Sequence, residues 1–272
     1  MSFKKLSLIF TLAIGSVLGA NAAVTDTIVV PTANLPKVAK AVVITPETDA
    51  AAGTKYPSVY LLNGYGGDYK SWTIIRPDLG RLADMYGMVI VMPDGMDSWY
   101  WNSPKIPEMK MEDFFVNDLV PYIDANYPTK EESAQRAIAG LSMGGHGAMW
   151  LAIRHKDIWS NAATMSGGVD IRPFTSRWRM KQLLGEYETN ATVWDEHTVI
   201  NLVPTLQPGK LNIEIDCGVD DFFADVNRNL HQALLDAKIP HDYIERPGAH
   251  TRTYWANSVL YQLLFFNECF NK

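Results

Sequence analysis

Apolar and polar positions alternate along the chain in two different periods, one strand-like and one helix-like. Residues 38–44 and 57–62 predict strands, and residues 87–92 form a continuous apolar run ending at Pro93-Asp94-Gly95, the pattern of a buried parallel strand. Residues 113–122 carry Phe114, Phe115, Leu119 and Tyr122 at helical spacing and stop before Asn126-Tyr127-Pro128. Residues 136–139 predict a strand, 145–154 a helix with a small-residue first turn, and 161–165 a strand stopping at Ser166-Gly167-Gly168. Residues 211–215 alternate up to Asp216-Cys217-Gly218, followed by a helix over 222–238, a strand over 241–245 and a closing amphipathic helix over 254–266. Such alternation implies an α/β fold, with a mostly parallel central sheet and helices on both faces. Residues 169–206 break the rhythm without a clear strand, and are expected to form a small insertion over the top of the sheet, covering part of the site. No repeat, low-complexity tract or linker divides the chain.

The first 22 residues have a different character. Lys4-Lys5, an apolar run from Leu6 to Leu18, and Ala20-Asn21-Ala22 have the layout of a signal peptide cut after Ala22. The run is short for a membrane span, and no cysteine beside the cut invites a lipid. The expectation is export, periplasmic or secreted, with one domain over 23–272 and no stable membrane insertion. Without Lys4 and Lys5 the domain keeps 22 basic against 30 acidic residues, a net charge of −8. That balance disfavours nucleic acid as a partner. Cys217 and Cys269 are the only cysteines. They either pair in an oxidising compartment or stay as two buried thiols.

The most informative segment is Gly140-Leu141-Ser142-Met143-Gly144, set between a predicted strand and a predicted helix. Gly-x-Ser-x-Gly in that setting is the nucleophile elbow, in which a strained serine lifts its hydroxyl clear of the sheet. A serine hydroxyl is a poor nucleophile at neutral pH and needs a base that a third group orients. In elbow hydrolases the order is serine, acid, histidine, each on a loop at the same edge of the sheet. His250 lies between the last predicted strand and the last helix and is the candidate base. Asp216, Asp220, Asp221 and Asp225 lie at or past the preceding strand end. Asp216 is placed to brace the turn through backbone hydrogen bonds, and spacing alone does not separate Asp220 from Asp221. The aspartates match no EF-hand loop and no His-Glu-x-x-His occurs, so no metal and no cofactor are expected.

The developing oxyanion needs two backbone donors. Met143, directly after the serine at a helix start, is one candidate. Tyr65, in the turn Asn63-Gly64-Tyr65-Gly66-Gly67, is the other. That turn lacks the Lys-Ser/Thr pair of a phosphate cradle. Trp99 and Tyr100, after the strand end at Asp94-Gly95, and Trp178, in the insertion, are candidate substrate-binding aromatics. His146, in the first turn of the elbow helix, is read as a packing residue.

With these segments assembled, the chain resembles the putative-esterase family of α/β-hydrolases, related to esterase D, tributyrin esterase and the feruloyl esterase domains found with xylanases. The resemblance rests on Leu61 to Gly67, Pro93-Asp94-Gly95 with Ser98-Trp99-Tyr100, Gly140 to Gly145, Gly218-Val219-Asp220-Asp221-Phe222, and Gly248-Ala249-His250-Thr251. It implies the α/β-hydrolase fold, Ser142 as nucleophile, Asp221 as acid and His250 as base. Asn63 stands where the family usually has histidine, and the Thr-Cys of the S-formylglutathione hydrolase branch is missing from that turn. By analogy the substrate is a small-molecule or oligosaccharide ester, feruloyl or acetyl, of plant cell-wall polysaccharide. An acyltransferase like the mycolyltransferases, or a carbohydrate-binding relative without turnover, are the alternatives. A lipase is disfavoured because no long amphipathic lid is evident.

Overall fold

The computed structural model describes residues 23–47 and 53–272, so the expected signal peptide lies outside the described residues. Eight strands form one sheet: β1 (Val24–Val30), β2 (Ala39–Thr45), β3 (Ser58–Leu62), β4 (Val89–Pro93), β5 (Arg136–Leu141), β6 (Asn161–Met165), β7 (Asn212–Gly218) and β8 (Asp242–Arg246). Their order is β1-β2-β4-β3-β5-β6-β7-β8. β2 runs antiparallel to both β1 and β4, and the remaining pairs are parallel. The expected mostly parallel sheet is the one found. β3, β4, β5 and β6 are buried along their whole length, which is why they read as unbroken runs of apolar and small residues.

Each face of the sheet carries its own core. On one side pack Phe114, Phe115 and Ile123, Leu151 of α5 (Met143–Arg154), and Leu230 and Leu234 of α8 (Ala224–Asp236). On the other pack Trp72 of α1 (Ser71–Ile75), Leu79 and Leu82 of α2 (Leu79–Tyr86), and Val259, Leu263 and Phe266 of α9 (Arg252–Phe270). Helices on both faces, as the alternation implied, leave the strand ends open only at the edges.

The differences from the sequence reading are local. The helix expected over 113–122 is three pieces: α3 (Met111–Asp113), a π-helical stretch Phe114–Leu119, and α4 (Val120–Asn126). Phe114 and Phe115 are both fully buried within the π-helical stretch. β1 had no sequence signal because it is an edge strand whose residues are mostly exposed. Helices α1 and α2, between β3 and β4, were not assigned either. Residues 169–206 hold no strand, as expected, and contain α6 (Met180–Leu184) and the kinked α7 (Tyr187–Glu196).

Candidate active site

β5 ends at Leu141 and α5 starts at Met143, so Ser142 alone makes the turn. Its φ of 56° and ψ of −118° lie where non-glycine residues are rarely found. The turn survives because its neighbours carry no side chains. A Cβ on Gly140 would stand 2.4 Å from the Gly144 carbonyl, and one on Gly144 would stand 2.5 Å from the Leu62 carbonyl oxygen. The Ser142 N–H donates to the Met165 carbonyl on β6, and the Ser142 carbonyl accepts from the N–H groups of His146 and Gly168.

The strained serine meets two partners from distant loops. Ser142 Oγ lies 3.0 Å from His250 Nε2. His250 Nδ1 lies 2.9 and 3.0 Å from the two carboxylate oxygens of Asp221. With Nδ1–H donating to the carboxylate, Nε2 is left as the acceptor facing the serine hydroxyl. Asp221 Oδ1 also accepts from the Phe223 N–H at 2.8 Å, and the Asp221 side chain is sealed from solvent. Asp220, by contrast, is exposed, and its N–H is tied to the Gly248 carbonyl. The structure therefore separates the pair that spacing left open. Asp216 is buried and does brace its surroundings, though through its side chain: Tyr254 Oη and Arg246 Nη2 donate to its two oxygens. Burial pushes its carboxyl up, against the pull of those partners.

Above the serine, Met143 is the first residue of α5, where the N–H has no partner inside the helix. Tyr65 lies in the turn after β3 and lines the same cleft as Ser142. Among the described residues, neither N–H donates to a backbone carbonyl. Asn63 holds the turn from beneath: its Nδ2 donates to the Gly64 carbonyl, and its Oδ1 accepts from the Gly95 N–H.

The cleft has a volume of about 440 Å³. Four rings follow one another along it. Trp178 stacks on Phe222 at 5.6 Å, Phe222 lies 4.2 Å from the His250 ring, and Trp255 meets His250 edge-on at 4.8 Å. Ser71, Ile74 and Ile75 of α1 and Arg252 of α9 complete the lining. Trp178 is thus where the sequence placed it, and the insertion does cover part of the site. Trp99 and Tyr100 are not. Both are buried in the core beneath the cleft, at 1% and 0% exposure. Trp99 Nε1 donates to the Trp178 carbonyl, and Tyr100 Oη donates to the Asn63 carbonyl. They hold up the residues that reach substrate space, and left-handed φ values of 56° and 64° turn their backbone inward. Phe222, Trp255 and Arg252 were missed as lining residues. The signal was their nearness to Asp221 and His250 in sequence, since residues beside a catalytic loop inherit its position.

His146 is fully buried and packs as expected. It accepts from Trp101 Nε1 and donates from Nδ1 to the Gly168 carbonyl. Burial pushes its pKa down to about 3, so it stays neutral. Cys217 and Cys269 are separate buried thiols. Among the described residues, no cluster of three or more His, Cys, Asp or Glu side chains could hold a metal, and no helix is long and apolar enough to cross a membrane.

The chain is similar to several known esterases. An esterase of Mycobacterium tuberculosis is 29% identical over 234 residues, covering 76% of this chain and 51% of the relative. The chain thus spans about half the length of that relative. An acetyl esterase of Caldicellulosiruptor saccharolyticus is 25% identical over 212 residues, covering 73% of this chain and 78% of the relative. A solved ferulic acid esterase is 27% identical, with a TM-score of 0.75 over 91% of this chain and 98% of the other. Residues 33–266 match the family described as Putative esterase, and the chain belongs to that family of α/β-hydrolases.

Proposed function

We propose that this protein is an exported serine carboxylic-ester hydrolase that works through an acyl-enzyme. The observation that carries the reading is the unbroken relay from Asp221 through His250 to Ser142, with hydrogen bonds of 2.9 and 3.0 Å. His250 Nε2 takes the serine proton while Oγ attacks the ester carbonyl carbon. The Tyr65 and Met143 N–H groups hold the negative charge that gathers on the carbonyl oxygen. The C–O bond then breaks, and the alcohol leaves with the proton returned by His250. Water, deprotonated by His250, attacks the acyl-serine in the same way and releases the acid. Asp221 keeps the imidazole oriented and stabilises its cationic form.

Feruloyl or acetyl esters of plant cell-wall polysaccharide are the proposed substrates. The aromatic wall of Trp178, Phe222 and Trp255 suits a planar acyl group or a sugar face, and relatives named acetyl esterase and ferulic acid esterase support that class. Export rests on the leader-like residues 1–22. The fold accommodates a cut after Ala22, because β1 begins at Val24 and the Ala23 nitrogen already donates to Asp84.

Residues 23–272 assayed with p-nitrophenyl acetate and methyl ferulate test the reading, with Ser142→Ala as control. Hydrolysis lost by roughly three orders of magnitude or more in the variant is the expected result. No turnover of either ester by the unaltered protein points instead to an acyltransferase or a binding protein.

A further inference from the structure

We infer that the ester substrate carries a carboxylate, and that Arg252 recognises it. The inference rests on the esterase reading above and specifies the substrate of the same site. Of the described residues lining the cleft, Arg252 is the only one with a permanent charge, and no acidic side chain is among them. Most arginines of this protein sit against a carboxylate, and among the described residues Arg177 and Arg179, either side of Trp178, share with Arg252 the lack of one. Arg76, whose Nη1 donates to the Ala256 carbonyl on the same helix, is neutralised by Asp78 at 2.6 Å. Arg136, Arg154, Arg172, Arg228 and Arg246 all sit against carboxylates too. Arg252 forms no ion pair among the described residues, although acidic residues outnumber basic ones 30 to 24 along the chain.

Its position is fixed by the element that carries it. Thr251 caps α9, its side chain accepting from the Tyr254 N–H, and Arg252 opens the first turn. Trp255 is three residues on, so the two side chains share one face of the helix, and both line the cleft beside His250. Arg252 is exposed to solvent and lines a cleft whose other described lining residues carry no permanent charge. A planar five-donor cation in such a place suits a carboxylate, which it grips with two parallel hydrogen bonds. A neutral ester would leave it solvated and idle. The carboxylate belongs either to the alcohol, as an acidic sugar bearing an acetyl or feruloyl group would supply it, or to the acyl group, in which case the acid released is neither acetic nor ferulic.

Two matched pairs of esters distinguish these sources. On the alcohol side, 4-acetoxybenzoate is compared with methyl 4-acetoxybenzoate. On the acyl side, 4-nitrophenyl hydrogen succinate is compared with 4-nitrophenyl butyrate. The readout is the ratio of kcat/KM for the anionic ester to that for its neutral partner, in the unaltered protein, Arg252→Gln and Arg252→Lys. Differences in intrinsic ester reactivity cancel when ratios are compared between proteins. In one pair the ratio falls about ten-fold in Arg252→Gln, is partly kept in Arg252→Lys, and declines with added salt. The pair that responds names the side bearing the carboxylate. Ratios equal in all three proteins for both pairs overturn the inference and leave the esterase reading standing. Absence of Ser142-dependent hydrolysis of all four esters overturns both.

Discussion

At the residue scale, the site turns on which of two adjacent aspartates faces the histidine. Asp221 is sealed from solvent against His250 Nδ1, and Asp220 is exposed. Asp221→Asn keeps the shape but removes the charge and the preference for the Nδ1–H tautomer, so kcat is expected to fall by roughly four orders of magnitude. Asp220→Asn touches neither His250 nor the cleft lining, and is expected to change kcat/KM less than about two-fold. Equal losses in the two variants, measured on p-nitrophenyl acetate, would contradict the geometry. Ser142 and His250 were legible from the sequence because an elbow motif and a loop order constrain them. The aspartate was legible only through family resemblance, since a one-residue step within a turn has no periodicity to decide it. Trp99 and Tyr100 were misplaced for a different reason. An aromatic side chain announces burial or contact, and its residue type does not say on which side of a loop it lands.

At the scale of elements, the elbow works because β5 and α5 approach each other more closely than side chains allow. Gly140 and Gly144 touch, and Gly144 also lies against the end of β3. Gly144→Ala would drive a methyl group into the Leu62 and Asn63 carbonyls, both backbone atoms that cannot swing away. Urea unfolding is expected to show a loss of about 2 kcal/mol or more, with esterase activity falling as Ser142 shifts. An unchanged midpoint would mean that the strand and helix can part at little cost. The central strands and the elbow helix were readable because burial on both sides leaves a continuous apolar signal. β1 and α1 were not, as an exposed edge strand and a five-residue helix carry too few buried positions. The π-helical stretch was hidden because Phe114 and Phe115 have the residue types of any buried helix.

At the scale of the whole molecule, the sheet contains a carboxyl group, that of Glu214, whose charge burial suppresses. Glu214, on β7, is 2% exposed, and its Oε1 lacks a hydrogen-bond partner. Burial, reinforced by the nearby carboxylates of Asp216 and Asp242, pushes its pKa up from 4.5 to about 8. Between those values the folded protein holds a proton that the unfolded chain has released. Folding stability therefore declines as pH rises through that window, and is fully present only below it, by about 1.4 kcal/mol per pH unit at most. Asp216, two residues on, has Tyr254 and Arg246 to share its charge; Glu214 has no such pair. Glu214→Gln removes the titration while keeping the volume. Its stability relative to the unaltered protein is expected to rise by on the order of 2–4 kcal/mol between pH 5 and pH 8. Urea unfolding at those two pH values measures the difference, and other titrating groups cancel because both proteins share them. Parallel pH profiles for the two proteins would mean that Glu214 is ionised and solvated in the fold, against its burial. A rising difference would mean that the sheet is held together at neutral pH with this carboxyl protonated, and that alkaline conditions weaken the strand that leads into the Asp221 loop.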